Sequence, residues 1–103
     1  MSQPLSHLMA AAGLPLILPG GIVPETLSVS ALTADSRAVR PGTLFAALPG
    51  THVDGRTFIA AAVQAGACAV LAPPGTPWPQ GVAPCPLVEC ENPRRALALM
   101  AAA

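Results

Sequence analysis

The chain has 103 residues, 13 of them proline and 9 glycine, and its five basic and five acidic residues leave a formal net charge of zero. That length suits one domain with a modest core, and an apolar share of 52% is too high for disorder driven by charge. Electroneutrality argues against binding to nucleic acid or to an anionic membrane. All the basic residues are arginines (Arg37, Arg40, Arg56, Arg94 and Arg95), so these residues hold no Walker-A loop, Schiff-base lysine or lysine general base.

Residues 4–13 are predicted to form a short helix. Pro4 suits its first turn, Leu5, Leu8, Met9 and Ala12 share one face, and Gly13 can end it. The apolar run Leu8–Leu18 is broken by Pro15 and is shorter than the roughly 20 residues a membrane-spanning helix needs. No basic residue precedes it, which argues against a secretory signal. Leu14–Thr26, rich in proline and glycine, reads as an irregular connection. Leu27–Ala34 alternates apolar and small polar residues and is a strand candidate. Asp35-Ser36-Arg37 then forms a polar turn. Arg40-Pro41-Gly42-Thr43 has proline second and glycine third, as a type II turn prefers.

Leu44–Leu48 reads as a buried strand, Pro49–Gly55 as a loop, Arg56–Ala65 as a helix stopped by Gly66, and Ala67–Ala72 as a second buried strand. The predicted helix carries Phe58, Ile59, Ala62 and Val63 on its apolar face. Strand, helix and strand in this order make a βαβ unit with parallel strands. Pro73–Pro86 contains six prolines and Trp78, which excludes a helix or a central strand. A third strand is expected over Pro86–Cys90. Asn92 and Pro93 fit the N-cap and first position of a final helix running to Ala103. That helix ends mid-period without a C-cap, so a longer natural protein is expected. The fold class is therefore α/β: a small three-layer-like domain, its mostly parallel sheet built on a βαβ unit and flanked by helices.

Two loops have the composition of a ligand site: Thr33–Arg37 and Gly50–Gly55. In α/β folds ligands gather at the carboxyl ends of parallel strands. Ser36 and Thr51 supply hydroxyls, His52 an imidazole, and the glycines close approach of backbone N–H groups. Such groups suit a neutral heterocycle, a sugar or one phosphate. Several residues have plainer local roles: Asp35 can bond the backbone of its own turn, Asp54 can cap the following helix, and Arg37 and Arg56 can pair with them. No GxSxG elbow accompanies Ser36, so a hydrolase triad is not expected. Cys68, Cys85 and Cys90 are odd in number, form no CxxC and have no metal-ligand spacing with His7 or His52. They read as idle thiols, with Cys68 in the core.

Thr33-Ala34-Asp35-Ser36-Arg37 through Val39, Pro41-Gly42, Leu44-Phe45 and Ala47-Leu48 to Gly50 is similar to the "DSR…V.PG.LF.AL.G" signature of Mur ligases. Asp54-Gly55, Phe58-Ile59, Ala62 and Gly66-Ala67 resemble its "DG..FI..A...GA" continuation. The resemblance covers roughly residues 30–72, with a weaker fit at Asn92–Ala103. It implies the N-terminal domain, over residues 1–103, of a cytoplasmic ligase of peptidoglycan precursor synthesis. The branch it resembles most adds the third amino acid, meso-diaminopimelate or L-lysine, to UDP-N-acetylmuramoyl-L-alanyl-D-glutamate.

The resemblance further implies that this domain binds the UDP moiety through the positions of Ala34, Ser36, Thr51, His52 and Val53. ATP and Mg2+ would belong to the full-length enzyme, and a central and a C-terminal domain would follow in cis. No cofactor, metal, catalytic residue, nucleic acid or membrane insertion is expected of these residues, and a monomer is. Ala34 often stands as a larger aliphatic residue in the family, Thr51 and His52 vary, and Arg56 replaces a histidine of some relatives. Two other readings are a D-alanyl-D-alanine-adding ligase of the same family and a non-catalytic interaction module built on the proline stretch and Trp78.

Overall fold

The structure is a computed structural model and describes residues 3–13, 27–50, 54–83 and 85–102. The predicted connection Leu14–Thr26 lies outside them. The elements are β1 (Gln3–Pro4), α1 (Leu5–Ala12), β2 (Ser28–Val29), β3 (Ala31–Thr33), β4 (Thr43–Ala46), α2 (Ile59–Gln64), β5 (Ala69–Ala72), β6 (Leu87–Glu89) and α3 (Pro93–Ala101). Single 3-10 turns lie at Ser36–Ala38 and Gly55–Phe58.

Four strands form one sheet in the order β3-β4-β5-β6, with every neighbouring pair parallel. Leu32 stands opposite Leu44, Phe45 opposite Val70, and Leu71 opposite Val88. The inner strands β4 and β5 are buried along their whole length, as expected of parallel strands covered on both faces. Leu44, Ala46, Ala69, Leu71 and Val88 point to one face, where Leu5, Leu8 and Ala12 of α1 and Ala96 and Met100 of α3 close over them. Phe45, Ala47, Val70 and Ala72 point to the other face, against Val39 and against Ile59 and Ala62 of α2, with Trp78 at the margin. The expected α/β architecture of helix, parallel sheet and helix is thus present.

The link from β4 through α2 to β5 is the anticipated βαβ unit. The link from β3 to β4 contains no α-helix. It is a 3-10 turn followed by the turn Arg40–Thr43, in which the Thr43 N–H donates to the Arg40 carbonyl over 3.0 Å and Gly42 takes φ +89°. That φ is the glycine position of a type II turn. The Thr43 hydroxyl accepts from the Arg40 N–H at 3.1 Å and closes the turn from inside.

Several expectations are corrected. The strand candidate Leu27–Ala34 is two strands: β2 pairs antiparallel with β1, and β3 pairs parallel with β4. The break falls at Ser30, whose N–H donates to the Gly42 carbonyl at 2.9 Å. Pro4 is the extended residue before α1, not part of its first turn. The helix expected over Arg56–Ala65 begins as a 3-10 turn, and α2 proper starts at Ile59. The buried cysteine is Cys90, at 3% exposure, whereas Cys68 is half-buried. Trp78 is half-buried too, and its indole N–H donates to the Val82 carbonyl at 3.2 Å. The N-cap of α3 is as expected, with the Arg95 N–H donating to Asn92 Oδ1 at 3.1 Å.

Candidate functional site

Because β3 and β4 are parallel neighbours, the loops after Thr33 and after Ala46 leave from the same edge of the sheet. That is the carboxyl edge, where α/β folds place ligands. The first loop is held by its own residues. The Asp35 N–H donates to Thr33 Oγ1 at 3.0 Å, and the Arg37 N–H donates to Asp35 Oδ1 at 2.9 Å. The Arg37 guanidinium then straddles the same carboxylate, Nε to Oδ1 at 3.1 Å and Nη2 to Oδ2 at 3.2 Å. Hydrogen bonding from the Arg37 side chain, then from its backbone, holds the Asp35 carboxyl below its usual pKa, and the same contact raises that of Arg37. The pair is solvated, so its net energy is small; its effect is to fix the loop and cancel its charge.

The second loop closes at Leu48 and Gly55, where the Gly55 N–H donates to the Leu48 carbonyl at 2.8 Å. A Cβ on Gly55 would stand 2.7 Å from the Leu48 nitrogen and 2.8 Å from its oxygen, so the approach requires glycine. Asp54 repeats the motif of Asp35. Its Oδ1 accepts from the Arg56 N–H at 3.0 Å, and its carboxylate pairs with the Arg56 guanidinium. Its pKa is lowered for the same reason, the Arg56 side-chain hydrogen bond first.

Ala34, Asp35, Ser36, Arg37 and Phe58 line a hollow of about 430 Å³ at this edge. Of the expected site residues, Ala34 and Ser36 lie in its wall, while Thr51, His52 and Val53 fall outside the described residues. Phe58 was expected in the core and is instead 41% exposed. The reason is local: Phe58 ends the 3-10 turn with φ −103° and ψ 7°, so the helical period that assigned its face does not reach it. The signal that could have found it is the Asp54-Gly55 pair, which caps a tight turn just before the helix.

Among the described residues no group of three His, Cys, Asp or Glu side chains could hold a metal ion. Burial raises the thiol pKa of Cys68, and that of Cys85 to about 11, so both are protonated at neutral pH. The hollow presents the Ser36 hydroxyl, the Phe58 ring and the Asp35–Arg37 pair.

Residues 28–103 match the model of the Mur ligase family, catalytic domain. The chain belongs to the Mur ligase family. A UDP-N-acetylmuramoyl-L-alanyl-D-glutamate–2,6-diaminopimelate ligase of Caulobacter vibrioides is 56% identical over 75 residues, 73% of this Mur ligase chain and 15% of the relative. The enzyme of the same name from Chelativorans sp. is 45% identical over 87 residues, covering 84% and 17%. This chain therefore spans about one-sixth of the length of these relatives. A crystal structure of MurF from Acinetobacter baumannii superposes with a TM-score of 0.74 at 22% identity, over 99% of this chain and 21% of that one. That likeness is one of fold. No helix among the described residues is long and apolar enough to cross a membrane.

Proposed function

We propose that this chain is the UDP-binding domain of a cytoplasmic, monomeric, ATP-dependent ligase that adds the third amino acid, meso-diaminopimelate or L-lysine, to UDP-N-acetylmuramoyl-L-alanyl-D-glutamate. The observation that carries this reading is the hollow at the carboxyl edge of the sheet, with Ser36 in its wall and its one acidic side chain tied to Arg37. A uridine nucleotide needs uncharged hydrogen-bonding groups for uracil and ribose, and the neutralised loop carries the Ser36 hydroxyl without a repelling carboxylate. Ala34, Ser36, Thr51, His52 and Val53 are the proposed contacts. The names of relatives at 45–56% identity support the choice of substrate. The D-alanyl-D-alanine-adding ligase is the second reading, and its support is the fold of MurF.

In this reading the chain binds and orients and does not carry the chemistry. The family's reaction moves the γ-phosphate of ATP to the substrate carboxylate; the incoming amine then displaces that phosphate. The residues present do not fit ATP or Mg2+: the sequence has no lysine, and the described residues have no metal-ligating cluster. Those groups belong, as we propose, to domains that follow in cis.

The test is to supply the full-length protein with ATP, Mg2+ and UDP-N-acetylmuramoyl-L-alanyl-D-glutamate. Meso-diaminopimelate and L-lysine are each offered in turn, and product mass and ADP release are followed. One of the two should add with one ADP per bond. Incorporation only of D-alanyl-D-alanine, and only onto the tripeptide substrate, would favour the second reading.

A further inference from the structure

We propose that Phe58 is the aromatic face on which the base of the bound nucleotide stacks. The proposal rests on the uridine-binding reading and deepens it. The sequence has three aromatic residues. Phe45 is fully buried, and Trp78 packs at the margin of the second core with its N–H engaged. Phe58 alone among the described large apolar side chains is exposed, and it lines the same hollow as Ser36.

The backbone that presents this ring is fixed before any ligand arrives. The Gly55 N–H is bound to Leu48, the Arg56 N–H to the Asp54 carboxylate, and the Thr57 N–H and hydroxyl both to the Asp54 carbonyl, at 3.0 and 2.8 Å. Little ordering entropy then remains to be lost at the ring's backbone when a ligand docks. The chemistry of the other wall selects which part of the ligand meets the ring. The Arg37 guanidinium makes two hydrogen bonds to Asp35, so this wall holds no unpaired cation to draw in a phosphate. A flat, uncharged heterocycle suits the space: its π-face lies on Phe58 and its polar edge reaches the Ser36 hydroxyl. Base-on-aromatic stacking tolerates any base, so Phe58 supplies affinity and the polar wall supplies the preference for uracil.

The experiment measures UDP binding by calorimetry to the full-length ligase, with kcat and KM for the UDP-muramoyl substrate alongside. The variants are Phe58→Ala, Phe58→Leu, Phe58→Tyr and, as a control on the site itself, Ser36→Ala. Removing the ring should weaken UDP by about tenfold, and Phe58→Leu should recover little of that loss. Phe58→Tyr should stay within about twofold of wild type, and the Phe58→Ala loss should fall on KM with kcat nearly unmoved. Leucine binding as well as phenylalanine would overturn stacking in favour of simple apolar contact. A normal Phe58→Ala beside a weakened Ser36→Ala would overturn stacking and leave the uridine site standing. Unchanged binding in both would overturn the site and the stacking together. Leucine and tyrosine conserve the apolar bulk, so the comparison holds even where alanine lowers stability.

Discussion

Asp35 and Asp54 do the same local work at two places: each accepts from the N–H two residues on and holds the guanidinium of that residue. Both carboxyls are lowered below 3.8 by their arginine. A lowered folded-state pKa stabilises the fold above the unfolded value, and that contribution is lost as pH falls through the folded one. Asp54→Asn keeps an oxygen to accept from the Arg56 N–H and removes the charge. Wild type should therefore be the more stable at pH 7, and its lead over Asp54→Asn should shrink as pH drops below 3.8. Denaturant melts of the two proteins at pH 7, 4 and 3 read this directly; a lead that is constant with pH would show that the ion pair contributes nothing. These caps were legible in the sequence because donor and acceptor are two residues apart. The exposure of Phe58 was not, because a 3-10 segment as short as Gly55–Phe58 is too brief to show a period of its own in the sequence.

At the scale of elements, what could be read ahead were the units built from neighbouring residues: the type II turn at Pro41-Gly42, the βαβ unit and the Asn92-Pro93 start of α3. The break between β2 and β3 was hidden because alternation runs straight through Ser30; the two strands differ only in which distant partner they meet. The Ala34–Arg37 wall of the hollow was legible for a comparable reason, since it is a local turn; the Phe58 wall was not, because it hangs on a 3-10 turn where a helix was expected. Gly55 is the joint between strand and turn. Gly55→Ala would press a Cβ into the Leu48 backbone, and backbone cannot step aside as a flexible side chain does. We expect a loss of about 1–3 kcal/mol, seen as a lowered denaturation midpoint with an unchanged slope. An unaltered midpoint would mean the approach is looser than 2.7 Å.

At the scale of the molecule, the sheet carries a hydrophobic layer on each face, and both layers are built from this chain's own residues. We propose that residues 1–103 fold as one domain on that core, which makes the isolated chain a fair object for a binding measurement. With only the nucleotide end of the proposed substrate in reach, its affinity for UDP should be weak, in the range of about 1 mM. Adding UDP should shift amide resonances at Ser36 and Phe58 and leave those of α1 and α3 alone, while ATP turnover stays at background. Shifts confined to α3, or none, would count against the carboxyl-edge site. Strand order was beyond sequence reading, since parallel pairing is decided by contacts distant along the chain.

Leu48 and Gly55 are drawn together by a single backbone hydrogen bond. That bond ties the chain just after β4 to the start of the 3-10 turn through two backbone groups, whatever side chains stand between them. With Thr51, His52 and Val53 proposed as nucleotide contacts, a protein engineer wishing to change nucleotide preference should diversify those three positions and leave Leu48 and Gly55, the anchoring pair, untouched.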